Sequence, residues 1–164
     1  MTTSAAFPEK LAGYSPELHH TGILVRDIPS SAQRLVSSFG YRVESEISED
    51  PMQTALVQFL RLPGGTSWLE LVSPASPESK LAGALKKGGG HHHICLEVDL
   101  LDVFSKKLRQ EGWLPVSPAV PAVAFPGRRI AWFMNSDRLL IELLERSDGI
   151  RSIASLFNPR KEMK

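Results

Sequence analysis

The sequence predicts an α+β fold built from two tandem βαβββ modules in one domain. Three observations predict it. First, the chain repeats itself: His20-Thr-Gly-Ile-Leu-Val-Arg-Asp27 is echoed by His93-Ile-Cys-Leu-Glu-Val-Asp99, and Trp68-Leu-Glu-Leu-Val72 by Leu140-Ile-Glu-Leu-Leu144. Second, the landmarks keep step. The histidines are 93 − 20 = 73 apart, while Asp27 to Asp99, Gly40 to Gly112 and Glu70 to Glu142 are each 72 apart, so one extra residue near Arg26 accounts for the slip. A period this long describes two copies of a module rather than a solenoid. Third, each copy passes from an alternating apolar pattern to a helical one and back.

In order, residues 1–17 are rich in Ser, Thr, Ala and Pro and read as a loose arm. Residues 18–146 form the single domain, with module one at 18–74, a connector at 75–90 and module two at 91–146. Alternation over 18–25 makes a strand with His20, Gly22 and Leu24 on one face. Pro29 fits a first helical turn; Ala32, Leu35, Val36 and Phe39 supply the apolar stripe and Gly40 the stop. Residues 41–48, 54–62 and 67–72 alternate again, the last two joined by the Pro63-Gly64-Gly65 turn. A short helix is expected over 78–87, and Gly88-Gly89-Gly90 is the hinge into module two. There, 93–98 is a strand and Asp99 the N-cap of a helix carrying Leu101, Phe104 and Leu108, ended by Gly112. Strands follow at 113–116, 129–134 and 139–144, the first made irregular by Pro115, Pro118 and Pro121. Residues 147–164 are a tail in which Ile150, Ile153 and Phe157 keep helical spacing.

The composition narrows the function classes. At 164 residues and 42% hydrophobic, the chain is long enough to bury a real core. A net charge of +1 with interspersed signs gives no footprint for nucleic acid or an acidic membrane surface. The single cysteine excludes an intrachain disulfide. Neither an apolar run of about 20 residues nor a secretory signal is present, so a soluble cytoplasmic protein is the expectation.

The chemistry begins with Glu70 and Glu142. Each lies mid-strand between Leu or Ile neighbours, where an ionised carboxylate is costly to bury unless something pairs with it. A cation removes that cost. If the first and last strands of each module come close together, His20, Glu70, His93 and Glu142 converge. This mixed N/O set suits one divalent ion, Zn, Ni, Co or Mn, with Fe less favoured, and leaves positions open for water or substrate. On strand 93–98, His93, Cys95 and Glu97 share one face and Ile94, Leu96 and Val98 the other, which a helix would cover.

These phrases, together with Leu69-Glu-Leu-Val-Ser-Pro-Ala-Ser-Pro77 and Gly127-Arg-Arg-Ile-Ala-Trp-Phe133, resemble the vicinal-oxygen-chelate superfamily. That superfamily includes glyoxalase I, methylmalonyl-CoA epimerase, extradiol dioxygenases and the fosfomycin and bleomycin resistance proteins. The similarity spans roughly 18–146 and is greatest to the epimerase branch. It implies an open, curved mixed half-barrel, a homodimer, and one metal held by His20, Glu70, His93 and Glu142. It further implies proton transfer α to a carbonyl on a small carbonyl compound or acyl-CoA thioester, with Glu70 and Glu142 as the acid/base pair. The chain departs from part of the epimerase pattern, because segment 53–62 lacks the acidic residue that some epimerases use on the third strand. A glyoxalase I-type lyase acting on a hemithioacetal is the alternative; a non-catalytic binding protein and an Fe(II) dioxygenase are alternatives of other classes.

Other residues carry weaker expectations. His19, His91 and His92 read as strand-start or surface residues, and Cys95 as a small buried thiol. Gln53 and Gln58 either orient substrate or are solvated. Arg128 and Arg129 either meet an anionic group of the substrate or form a solvated turn pair. Lys86 and Lys87 are read as solvated.

Overall fold

The computed structural model describes residues 16–146. The expected arm at 1–17, apart from its last two residues, and the tail at 147–164 lie outside the described residues. Thirteen elements run in the order β1 (Glu17–Leu24), α1 (Ile28–Phe39), β2 (Arg42–Val43), β3 (Ser48–Asp50), β4 (Ala55–Arg61), β5 (Trp68–Pro74), α2 (Ala82–Lys86), β6 (Gly90–Val98), α3 (Leu101–Gln110), β7 (Leu114–Pro115), β8 (Val120–Pro121), β9 (Arg129–Met134) and β10 (Leu140–Glu145). The strands form one mixed sheet, β2-β4-β5-β1-β6-β10-β9-β7, with β3 also on β4 and β8 also on β9. Within each module the first and last strands are parallel neighbours: β1 with β5, and β6 with β10. Antiparallel pairing of β1 with β6 forms the seam between modules. Sequence and sheet therefore share one duplication.

The helices cover the outer face. Ile28 and Ala32 of α1 pack with Leu60 and Leu71, while Leu101 and Phe104 of α3 pack with Val98, Phe133, Ile141 and Leu143. The alternation of each strand then sends Phe59, Trp68, Val72, Cys95, Ile130, Trp132 and Leu144 to the inner face, where a third apolar cluster forms with Phe125. No helix among the described residues is long and apolar enough to cross a membrane.

Three local expectations are corrected. The strand expected over 41–48 is broken into β2 and β3, which pair with opposite ends of the same edge of β4. Ser45 makes the break tolerable: its hydroxyl accepts the N–H of Phe59 at 3.0 Å, and its carbonyl accepts Gln58 Nε2 at 3.1 Å, replacing ladder bonds. Asp99 does not cap α3. The N-cap is Leu100 without a side-chain bond, and Asp99 instead accepts both its close contacts, at 3.0 and 3.1 Å, from Arg146 Nη1, where a charge-assisted bond outweighs a cap. The helix expected over 78–87 is confined to α2. Asp27, by contrast, caps α1 by accepting the Ser30 N–H at 2.8 Å. The hinge needs its glycines: Gly89 has φ +65°, and a Cβ there would stand 2.6 Å from the Leu24 carbonyl oxygen.

Candidate metal centre

The pseudo-twofold seam assembles the site. On β1 and β6, His20 lies opposite Cys95 and Gly22 opposite His93, so each histidine faces the residue two positions beyond its counterpart. On the flanking strands Glu70 lies beside Gly22 and Glu142 beside Cys95. Both positions facing the rings are small, for a visible reason. A Cβ on Gly22 would come within 2.2 Å of His93 Cε1. Cys95 is fully buried.

All four expected site residues meet. His20 Nε2 lies 2.9 Å from His93 Nε2, 3.5 Å from Glu70 Oε2 and 3.2 Å from Glu142 Oε2; His93 Nε2 lies 3.3 and 3.5 Å from the same two oxygens. All four residues are buried. Donors on a common ion at bonds of about 2.1 Å stand ~3.0 Å apart at right angles and ~3.4 Å apart in a tetrahedron. The separations of His20, His93 and Glu70 suit donors on one divalent cation, and Glu142 Oε2 stands at similar distances from the two histidine nitrogens. Electrostatics agree. Burial opposes charge on His20, yet Cys95, Glu70 and Glu142 together raise its pKa well above 6.5. Burial also opposes the charge on Glu142, but hydrogen bonds and charge from His20 and His93 hold it well below the usual carboxylate range. The centre of the set attracts positive charge.

The site opens into a cleft walled mainly by apolar side chains such as Val57, Val72, Ile130 and Trp132. The pattern of the glyoxalase/bleomycin resistance protein/dioxygenase superfamily matches residues 19–132. The chain belongs to that superfamily. Among curated relatives, human mitochondrial methylmalonyl-CoA epimerase is 36% identical over 99 residues, 56% of this chain and 54% of that one. The match thus spans about half of the human protein's length. An ethylmalonyl-CoA/methylmalonyl-CoA epimerase of Cereibacter sphaeroides is 28% identical over 122 residues, 73% of this chain and 89% of that one. Among solved structures, methylmalonyl-CoA epimerase from Mycobacterium tuberculosis superposes with a TM-score of 0.71 at 26% identity, covering 79% of this chain and 87% of that one.

Around the four donors, this superfamily member carries features that sequence reasoning missed. His19 is buried, not exposed as expected, because β1 takes two steps from Leu18 to His20 while β6 takes one from Leu96 to Cys95. The bulge turns two consecutive side chains inward. His19 Nδ1 lies 2.8 Å from His20 Nδ1, and His92 Nδ1 lies 2.8 Å from His93 Nδ1. Burial, and next the charge of the neighbouring histidine, lower the pKa of His19 to about 2 and of His92 to about 4, so both are neutral. His92 is half-buried and lines the cleft, whereas His91 is exposed as expected.

Arg128 departs from the solvated reading, whereas Arg129 keeps a part-exposed side chain. Arg128 is buried, donating to Glu97 and to the Glu145 carbonyl, and Arg146 Nε approaches the other Glu97 oxygen at 3.5 Å. Arg129 donates to Glu145 and Asp102. Glu97, on the inward parity of β6, is thus paired internally. Gln58 bonds Ser45 and stands away from the cleft; Gln53 lines it. Lys86 and Lys87 are exposed, as expected. A carboxylate that no motif flagged, Asp50, also lines the cleft.

Proposed function

We propose that the chain is a divalent-metal-dependent epimerase that moves the proton α to the carbonyl of an acyl-CoA thioester of the methylmalonyl-CoA type. The observation that carries this reading is the convergence of His20, Glu70, His93 and Glu142 at the floor of an open, mostly apolar cleft. The epimerase names of the relatives from human, Cereibacter and Mycobacterium support the substrate class.

The four side chains would hold the ion. When bound, a divalent cation supplies Lewis-acid stabilisation of the negative charge that develops on a carbonyl oxygen as the α-proton leaves. The chain's own residues do the rest. The apolar walls exclude water and hold the acyl group with its α-carbon over the floor. Glu70 and Glu142 are the floor carboxylates placed to accept and return a proton through Oε2. His20 and His93 fix those oxygens, and His19 and His92 fix the histidines. Residence in the cytoplasm as a homodimer belongs to the same proposal; sedimentation of the purified protein at the mass of one chain would remove the dimer from it.

The test combines metal analysis of protein purified without chelator with α-proton exchange in D2O on methylmalonyl-CoA and on a hemithioacetal. Near-stoichiometric metal and deuterium incorporation into the thioester are expected. Exchange confined to the hemithioacetal would favour a glyoxalase I-type lyase, which can use the same four donors. Stoichiometric metal with no exchange on either substrate would leave a binding protein or an oxygen-dependent enzyme as the better account.

A further inference from the structure

His20 and His93 are each preceded by a second histidine, and the sheet treats both pairs alike. The bulge that turns His19 inward has a counterpart: β6 takes two steps from His93 to His91 while β1 takes one from Gly22 to Ile23. This second bulge turns His92 toward the inner face beside His93. The surroundings of the two then differ. His19 is shut in, with Phe125 edge-on at 4.9 Å between ring centroids, and it is not among the residues lining the cleft. His92 is half-buried, stands 6.4 Å from Trp132 and lines the cleft.

The tautomer of His92 follows from its neighbour. With a cation on Nε2 of His93, the proton of that ring sits on Nδ1 and is donated to His92 Nδ1 at 2.8 Å. An accepting Nδ1 places the His92 proton on Nε2, on the far side of the ring. Among the described residues no hydrogen bond falls on that nitrogen, so an N–H donor is left for whatever occupies the cleft. The cleft has need of one. Among the described residues that line it there is no lysine or arginine, and its acids are Asp50, Glu70 and Glu142. An acyl thioester of the malonyl type carries a free carboxylate on its α-carbon, and that group enters a site of its own sign. A neutral imidazole meets it without setting a second positive charge beside the cation, as a lysine or arginine would.

Resting on the epimerase reading above, we propose that His92 selects for the free carboxylate of the substrate by donating its Nε2–H to a carboxylate oxygen. The contact binds and orients the substrate and takes no proton from it. Because the same ring accepts from His93, one side chain joins the floor of the site to the acyl group. The α-carbon bears both the thioester carbonyl and the carboxylate, so holding the carboxylate as well as the carbonyl fixes its rotation above the floor. A thioester without the carboxylate leaves the donor unanswered, and a site built around a polar contact rejects ligands that lack it. The duplication supplied two supporting histidines, and the one left open to the cleft gained a second contact.

The test compares malonyl-CoA with acetyl-CoA, which differ by the carboxylate, as ligands of the full-length, zinc-saturated protein in calorimetric titrations. His92→Asn puts Oδ1 where the ring has Nδ1, keeping the acceptor for His93 while removing the cleft donor. His92→Gln puts an amide N–H near the place of Nε2 and gives up the acceptor instead. His92→Asn is expected to weaken malonyl-CoA by about 10- to 150-fold, the worth of a hydrogen bond to a charged group, and acetyl-CoA by less than about threefold. His92→Gln is expected to hold malonyl-CoA within about threefold of wild type while its affinity for zinc falls by about 10- to 100-fold. Equal weakening of both ligands by His92→Asn, no weakening of malonyl-CoA, or a loss as great in His92→Gln overturns the proposal. If His92→Asn melts early or loses zinc, magnetic resonance of zinc-loaded wild-type protein carrying isotope-labelled histidine decides. A downfield shift of the His92 Nε2 proton with malonyl-CoA and not with acetyl-CoA supports the proposal, and equal or absent shifts overturn it. Selectivity through His92 without α-proton exchange on methylmalonyl-CoA sinks the epimerase reading alone, whereas exchange without that selectivity sinks the His92 contact alone.

Discussion

His19 and His92 stand immediately behind the two histidines of the candidate metal centre, and the tautomers that metal binding would require follow from that placement. To face a cation, Nε2 of His20 and of His93 must present a lone pair, so each Nδ1 carries the proton and donates it to the neighbouring Nδ1 at 2.8 Å. The acceptor histidine must then be neutral, which the lowered pKa values of His19 and His92 satisfy. Such partners orient the ligand ring and raise its basicity. His19→Ala or His92→Ala is therefore expected to weaken divalent-metal binding by about 10- to 100-fold, measured by competition with a chromogenic chelator; unchanged affinity in both variants would remove the partner role. The same residues set a pH profile for the metal-free chain. His19 and His92 have folded pKa values below 6.5, so between those values and 6.5 the unfolded chain holds more protons and stability rises with pH. Glu142, depressed from 4.5, adds to the rise below that pH. His20, raised above 6.5, acts oppositely: its contribution is complete below 6.5 and is lost as pH climbs toward its folded pKa. Melting temperature after chelation should thus peak near pH 6.5, and saturating divalent cation should remove the alkaline decline, because metal displaces the His20 proton. A monotonic profile without metal would contradict this balance.

At the scale of elements, β1 and β6 decide the site because each carries a histidine and, two residues on, a small side chain beneath the other strand's ring. Gly22→Ala places a methyl 2.2 Å from His93 Cε1, so either the ring or the seam must move. A loss of about 1–3 kcal/mol in denaturant unfolding is expected, together with weaker metal binding; a fully stable variant with normal affinity would mean that the seam yields freely. Farther out, Asp27→Ala removes the cap of α1 and should lower the melting temperature with metal binding intact, since α1 covers the outer face. Much of this was legible in the sequence. The 72–73 residue period located both modules, and strand parity put His93, Cys95 and Glu97 on the inner face. The bulge was not legible, because two steps of β1 against one of β6 is a pairing property that a single strand's pattern does not carry, and so His19 was misplaced. Asp99 was misassigned because its partner Arg146 lies 47 residues away. Asp50 was invisible for a related reason: it reaches the cleft only through a short strand broken from β2 by Ser45.

For the whole molecule, the decisive fact is that the centre straddles the seam. Module one supplies His20 and Glu70, module two supplies His93 and Glu142, and the β1–β6 ladder joins them from Glu17 to Leu24. Neither module holds a complete donor set. Buried Cys95 and Phe125 belong to an inner cluster built from both halves, so parting the modules would expose that cluster as well as four polar side chains. The two halves should therefore unfold as one unit, with or without metal. A cation that binds only the folded chain adds about 2.7 kcal/mol of stability at a free concentration 100 times its dissociation constant. For a chain of this size, each kcal/mol raises the melting temperature by roughly 2–4 °C, so a shift of roughly 5–11 °C is expected. Calorimetry of the chelated and metal-saturated protein checks both points. One cooperative transition that moves upward with metal is the expected outcome. If chelation splits the transition in two, the modules are independent folding units and the ladder contributes less to cohesion than the bound ion does; a single transition insensitive to metal would mean that no cation bridges the seam.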